Sequence, residues 1–311
     1  MRLIAAFLKL VRLPNLFFLA LTQVLFQICI YQTLYKDAIP SDDLYRFILL
    51  VFASLFIAAA GYIINDYFDI NIDEVNKPHK MVVDKVINRR WAIAWHFMLS
   101  ATGILLTILA LPFWQKWYLI LANIICVALL WLYSTNFKKS LLTGNIVISL
   151  LTAWTILIIF FSKYQLGDVF TAEDNLAKVK FFRLAILYAG FAFIISLIRE
   201  AIKDMQDLAG DSKYGCRTMP IVWGVNATKV YVAVWLIVLI SIVGILQVYV
   251  LQFKWWLLIA YSIPAILFPL IVLLLKLRKC TTSEDFKKLS SLTKLVMFTG
   301  ILSMVFFYFY L

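Results

Sequence analysis

Nine apolar runs, each close to the length that crosses a bilayer, decide what this chain can become. They cover roughly residues 14–34, 44–66, 91–113, 117–134, 141–163, 182–201, 228–252, 255–276 and 289–311. A hydrocarbon core of roughly 30 Å needs about 20 apolar residues in helical form. Lipid offers the backbone no hydrogen bonds, so such segments are expected to be helices, and the ten-residue alternation of a membrane barrel is not found. The expected fold is an all-α membrane protein. Composition argues against the rival reading, a soluble protein with an unusually large core: 64% of the 311 residues are hydrophobic and only 15% are charged, with mean hydropathy +0.91. Soluble domains are nearer half apolar and a quarter charged.

The net charge of +12 is spread between apolar runs rather than gathered on one soluble face, so no nucleic-acid partner is expected. The distribution of Lys and Arg sets an orientation instead. The N-terminus, the loops after spans 2, 4, 6 and 8, and their flanks hold 21 of the 29 basic residues, and the opposite side holds 8. The N-terminus and the loops after spans 2 and 6 are therefore expected to be cytoplasmic, in an integral protein of the cell (inner) membrane. Arg2, Lys9 and Arg12 precede the first run with no small-residue cleavage site, which reads as an uncleaved first span. Cys29, Cys126, Cys216 and Cys280 form no CxxC, so neither a disulfide framework nor a zinc site is expected.

The acids are more unevenly placed than the bases. Of 17 Asp and Glu, five lie in 66–84 and four in 200–211. Asp66, Asp69 and Asp73 close span 2, and Asp204, Asp207 and Asp211 close span 6, with identical i, i+3, i+7 spacing. On a continuous helix these positions share about 60° of arc. The repetition four spans apart suggests an internal duplication. Two acidic solvated faces are the bland explanation, and the matched spacing makes it the weaker one.

Packed like charges need a counter-charge. Carboxylates with no His or Cys pattern suit a hard cation, Mg²⁺ first and then Mn²⁺ or Ca²⁺. Mg²⁺ takes one or two protein carboxylates and completes its shell with water and phosphate oxygens. Two such faces would clamp a diphosphate at the mouth of an apolar cavity, with Asp66, Asp69, Asp73, Asp204, Asp207 and Asp211 as metal ligands. Lys80 and Lys203 lie inside the acidic stretches and are candidate phosphate contacts, as is Lys138 in "WLYSTNFKK".

These residues resemble a known family. "NDYFDINID" is similar to the NDxxDxxxD signature of the UbiA superfamily of intramembrane prenyltransferases, and Asp207-x-x-x-Asp211 to its second, DxxxD, signature. "RLPN" at 12–15, "YSTNFKK" at 133–139 with Gly144-Asn145, and Gly215-x-x-Thr218-x-Pro220 add to the likeness, which spans nearly the whole chain. The resemblance implies a nine-helix bundle around a central cavity, one domain over 1–311, and Mg²⁺-dependent transfer of a prenyl group from an isoprenyl diphosphate to a lipophilic acceptor within the bilayer. It places Asp69, Asp73, Asp207 and Asp211 in catalysis, and Asn65, Arg12 and Asn15 beside the lysines on substrate. Asp204 is an extra acid that the short family pattern does not require. Lys80 stands where an Arg is common and Asp84 near a common Gly. "KDMQDLAGDSKYGCRTMPIVWG" looks most similar to the branch that acts on geranylgeranylglycerol phosphate. Prenylation of an aromatic quinone precursor is the alternative within the family. A cation-coupled transporter is the alternative outside it, and the acids' position at span ends rather than mid-membrane speaks against that.

Overall fold

A computed structural model describes residues 2–36, 38–76, 81–164 and 176–311. Its helices in chain order are α1 (Arg2–Leu10), α2 (Leu13–Gln32), α3 (Asp43–Phe68), α4 (Ile70–Asn76), α5 (Arg89–Ala110), α6 (Phe113–Thr135), α7 (Thr143–Lys163), α8 (Leu176–Gln206), α9 (Leu208–Lys213), α10 (Met219–Val222), α11 (Val225–Leu251), α12 (Trp256–Lys279) and α13 (Ser283–Tyr310). Nine of them, α2, α3, α5 to α8 and α11 to α13, are long and apolar enough to cross a membrane. Among the described residues there is no strand beyond one isolated bridge, Val83 to Ile87. The expected all-α membrane fold is what forms.

Expected and observed spans agree to a few residues, with two instructive exceptions. α8 begins at Leu176 rather than near 182, and α13 at Ser283 rather than near 289. Both extra segments are charged, with Lys178 and Lys180 in one and Glu284, Asp285, Lys287 and Lys288 in the other. Hydropathy marks where a helix can sit in lipid. The backbone hydrogen-bond ladder carries the helix further, here aided by a Thr282–Asp285 capping box.

The chain divides into two compact units. The first comprises Met1–Val24, Tyr35–Lys138 and Trp154–Ala185; the second Leu25–Leu34, Lys139–Ala153 and Ile186–Leu311. In the first, α3 and α5 approach closely. A Cβ added to Gly103 would lie 2.7 Å from Ile57 Cγ1 and 3.1 Å from the Ala53 carbonyl oxygen, so only glycine fits. Small residues at helix contacts compensate for the absence of a hydrophobic drive between helices in lipid. An apolar cluster of Leu10, Val11, Ile63, Ile70, Val82 and Ile87 lies beside the acidic end of α3. At the start of α3, Asp43 accepts from Lys163 Nζ at 2.6 Å, both side chains buried, and Lys116 Nζ donates to the carbonyls of Phe161, at 2.9 Å, and Tyr164. Each of these lysines finds an acceptor inside the protein, the condition under which a charge is tolerated at membrane depth.

In the second unit α8, α11, α12 and α13 share one core, including Ile198, Ile202, Leu236, Leu270, Leu273 and Phe286. Gly300 of α13 makes room for the Phe191 ring. The buried Tyr188 hydroxyl meets Ser303 Oγ at 2.8 Å, so neither polar atom is left bare in the apolar interior.

Candidate functional site

The first acidic motif does not lie on one continuous helix, as its spacing suggests. α3 stops at Phe68, Asp69 adopts φ −89° and ψ 0°, and α4 starts at Ile70. The i to i−4 bonds persist across the break, from Asp69 N–H to the Asn65 carbonyl at 3.0 Å and from Asp73 N–H to the Asp69 carbonyl at 2.8 Å. The backbone is thus kinked rather than unwound. The kink lets α4 bury Ile70 and Ile72, an apolar gain that a straight helix continuing into water would forgo. The bridge region of backbone space is one that active-site residues often occupy.

Around this kink the side chains form a charged cluster. Asp69 is buried, and its Oδ2 accepts from Asn65 Nδ2 at 2.7 Å and from Lys138 Nζ. Asp66 accepts from Arg12 Nη2 at 2.6 Å. The Arg12 guanidinium also lies 5.0 Å from the centre of the Tyr62 ring, one turn before Asp66. Arg12 itself has φ 53°, a left-handed conformation between α1 and α2 that costs a side-chain-bearing residue about 1–2 kcal/mol. Burial works against the charge on Arg12, but Asp66, Tyr62 and Asp69 together outweigh it and the guanidinium stays above its ordinary value. Lys138 behaves likewise: burial opposes its charge, and Asp69, then Tyr133 and Asp73, hold its pKa up. Both cations remain charged throughout the physiological range. Asn15, in the first turn of α2, donates its backbone N–H to the Arg12 carbonyl at 2.7 Å and is half-buried. Lys80, with Lys77 and His79, lies outside the described residues.

The second motif repeats the break at the equivalent residue. α8 stops at Gln206, Asp207 adopts φ −94° and ψ 8°, and α9 starts at Leu208. Asp207 N–H reaches the Lys203 carbonyl at 2.8 Å, and Asp211 N–H the Asp207 carbonyl at 3.2 Å. The side-chain partners differ. Asp204 accepts from Asn145 Nδ2 at 2.9 Å. Lys203, expected on phosphate, donates to Glu200 Oε2 at 2.8 Å, and Arg199 to Glu200 Oε1 at 2.8 Å. Glu200 is buried and three residues from Lys203 on one helical face, the spacing at which opposite charges pair. Asp211 is also buried, and both it and Glu200 act electrostatically on Asp204. The loop after α9 is tied down where Arg217 N–H reaches the Lys139 carbonyl at 2.8 Å.

The donor set fits a hard cation in the way Mg²⁺ uses proteins. Among the described residues no group of three or more acids, His or Cys converges closely enough to hold an ion alone. One or two carboxylates suffice for Mg²⁺ when phosphate oxygens complete the shell. Asn65 Oδ1, buried beside the Asp69 carboxylate and without a hydrogen-bond partner, is a further hard oxygen. Buried acceptors of this kind are rarely left unmatched.

Tyr62 lies against Arg12 at the first motif, and Glu200 pairs with Arg199 and Lys203 at the second; Glu200 is legible from its i−3 spacing to Lys203, whereas no motif spacing marks Tyr62. Asp84 lies on an exposed turn at φ 71°, paired to Arg89 at 2.8 Å.

The UbiA prenyltransferase family model matches residues 24–302. The digeranylgeranylglyceryl phosphate synthase of Methanospirillum hungatei is 30% identical over 305 residues, 96% of each chain. A solved digeranylgeranylglyceryl phosphate synthase superposes with TM-score 0.59 at 22% identity, over 98% of this chain and 99% of the other. A UbiA homologue from Archaeoglobus fulgidus bound to DMAPP and Mg²⁺ superposes with TM-score 0.58 at 16% identity, over 96% and 98%.

Proposed function

As this chain belongs to the UbiA prenyltransferase family, we propose that it moves a prenyl group from an isoprenyl diphosphate onto a glycerol phosphate-type lipid acceptor within the membrane, in an Mg²⁺-dependent reaction. The observation that carries this reading is the kinked acidic motif occurring twice, once with its carboxylates held by Arg12 and Lys138. The relative from Methanospirillum hungatei, alike over nearly its whole length, supports the choice of acceptor.

Cleavage of the allylic C–O bond leaves negative charge on the diphosphate. When bound, Mg²⁺ would supply Lewis-acid stabilisation of that charge. Asp66, Asp69 and Asp73 on one motif, and Asp204, Asp207 and Asp211 on the other, are the ligands we assign. Arg12 and Lys138 keep their charge under all working conditions and stand next to those carboxylates. They stabilise the leaving group by electrostatics prepared in advance, the most effective form of such assistance. Asn65 orients Asp69 through its amide N–H and offers Oδ1 to the cation. Lys80, Lys203 and Asn15 are assigned to the diphosphate as well, Lys203 after exchange from Glu200. The chain acts as one domain, with its N-terminus and both motifs on the cytoplasmic side.

Purified protein incubated with labelled geranylgeranyl diphosphate and a panel of acceptors tests this. Geranylgeranylglyceryl phosphate is expected to be prenylated, aromatic acids and naphthoates are not, and excess EDTA abolishes turnover. Product formation that persists in EDTA contradicts the metal requirement. Cysteine labelling that finds the 81–90 and 212–217 loops on opposite faces contradicts the cytoplasmic placement of both motifs.

A further inference from the structure

The last two membrane helices carry a basic cavity whose lining includes none of the residues assigned to prenyl transfer. It lies in the second unit, between the end of α12 and the start of α13, with a volume of about 330 Å³, within the range of small-ligand sites. Lys276, Lys279 and Lys288 line it, and its apolar wall is Cys280, Leu289 and Leu292. Cys280 and Leu289 are buried while the three lysines are exposed.

The charges around this cavity do not cancel. Its lining contains one acid, Asp285, whose Oδ2 accepts from the backbone N–H groups of Thr281 at 3.2 Å and Thr282 at 3.0 Å, in the cap of α13. The neighbouring Glu284 is paired to Lys287 at 3.2 Å, outside the lining. Lys276, Lys279 and Lys288 form no ion pair among the described residues. A fourth cation, Lys229, stands 6.0 Å from the centre of the Phe286 ring, in the first turn of α13. Three lysines held around one concavity repel each other unless an anion joins them. Both flanking helices are long and apolar enough to cross a membrane, so their junction meets the boundary where phosphate headgroups lie. Exposed Leu275 and Leu295 on the same two helices offer apolar surface to acyl chains. Basic pockets between membrane helices are the recurring form of headgroup recognition.

We propose that the cavity between α12 and α13 binds a phosphate-bearing anion, and that its source is the headgroup of an anionic membrane phospholipid. Topology-setting lysines spread over a surface would act one by one; lysines around a cavity act together on one phosphate.

The experiment is a melting-temperature titration of the detergent-purified protein with phosphatidylglycerol, phosphatidylcholine or inorganic phosphate, with native mass spectrometry to count retained lipid. Phosphatidylglycerol is expected to raise the melting temperature saturably, and the other two to leave it unchanged. In the triple variant K276Q/K279Q/K288Q the half-saturating phosphatidylglycerol concentration rises on the order of a hundredfold, and in the single variant K288Q about fivefold. The charge-matched variant R278Q/K287Q/K294Q, on the same hairpin but off the lining, shifts it less than about threefold. The single variant keeps the test decisive should the triple variant fold poorly. Equal weakening in the charge-matched variant, or equal binding of phosphatidylcholine, overturns the site. Saturation by inorganic phosphate overturns the lipid as its source. None of these readouts depends on prenyl transfer, so they stand or fall apart from the proposed reaction.

Discussion

The two acidic motifs share a backbone and differ in their counter-ions. Asp69 and Asp207, the second acid of each, occupy nearly the same bridge conformation between a long helix and a short one. At the first motif two cations from distant parts of the chain reach the acids, Arg12 to Asp66 and Lys138 to Asp69. At the second, Asp204 has a neutral amide, Asn145, and the nearby cations Arg199 and Lys203 are drawn to Glu200. The two motifs thus share a backbone conformation and differ in the partners of their carboxylates. At the first motif the cations pair with the motif's own acids, Asp66 and Asp69; at the second they pair with Glu200, beside the motif.

The largest effect that sharpens this contrast is Asp69→Asn. It removes the charge that both Asn65 and Lys138 serve, and turnover is expected to drop about 10²–10³-fold, the size typical of lost transition-state electrostatics. A rate within a factor of ten of the parent, in steady-state assays, removes Asp69 from the reaction.

Lys138→Gln ranks next. It leaves the Asp69 carboxylate buried with a single donor, and stability is expected to fall by about 1–3 kcal/mol, read as melting temperature and partly restored by Asp69→Asn in the double variant. The raised Lys138 pKa also carries a pH signature. A cation held above its ordinary value adds stability that is complete below the unfolded lysine pKa of about 10.4 and is lost only as pH rises through the higher folded value. The stability gap between parent and Lys138→Gln should therefore be flat from about pH 7 to 10. A gap that closes within that window contradicts the pairing.

Arg12 separates ion pairing from backbone strain. Arg12→Ala and Arg12→Gly both lose the contact with Asp66, so both should lower turnover by about tenfold. The Gly variant, free of the left-handed penalty, should be the more stable by about 1 kcal/mol. Equal melting temperatures would show that residue 12 relaxes out of its φ of 53°.

Much of this was legible in the sequence. The nine spans follow from hydropathy alone because lipid is unforgiving of polar backbone, and the two acidic triplets follow from their matched spacing. The kinks were not, because neither Asp69 nor Asp207 is a Gly or Pro, and nothing local marks a bridge conformation at either residue. Arg12 and Asp66 are 54 residues apart, a pairing no periodicity can reveal. Lys203 is the opposite case: its Glu200 partner sits at i−3, a spacing visible in the sequence, yet its place among the acids drew the assignment to phosphate.

The smallest effect expected is that of Asp84→Asn. Its pair with Arg89 is exposed, and Asn tolerates the left-handed backbone as Asp does, so stability should change by less than about 0.5 kcal/mol and turnover by less than about twofold. A larger loss would extend the first motif into the loop beyond α4.

Whether both motifs serve one ionisation step is tested most directly by initial rates against Mg²⁺ concentration for Asp69→Asn, Asp207→Asn and the double variant. A shared step predicts that each single variant loses at least about 10²-fold in turnover and that the double variant is scarcely worse than the weaker single. Near-normal rates for Asp207→Asn, or losses that multiply in the double variant, would contradict the shared step.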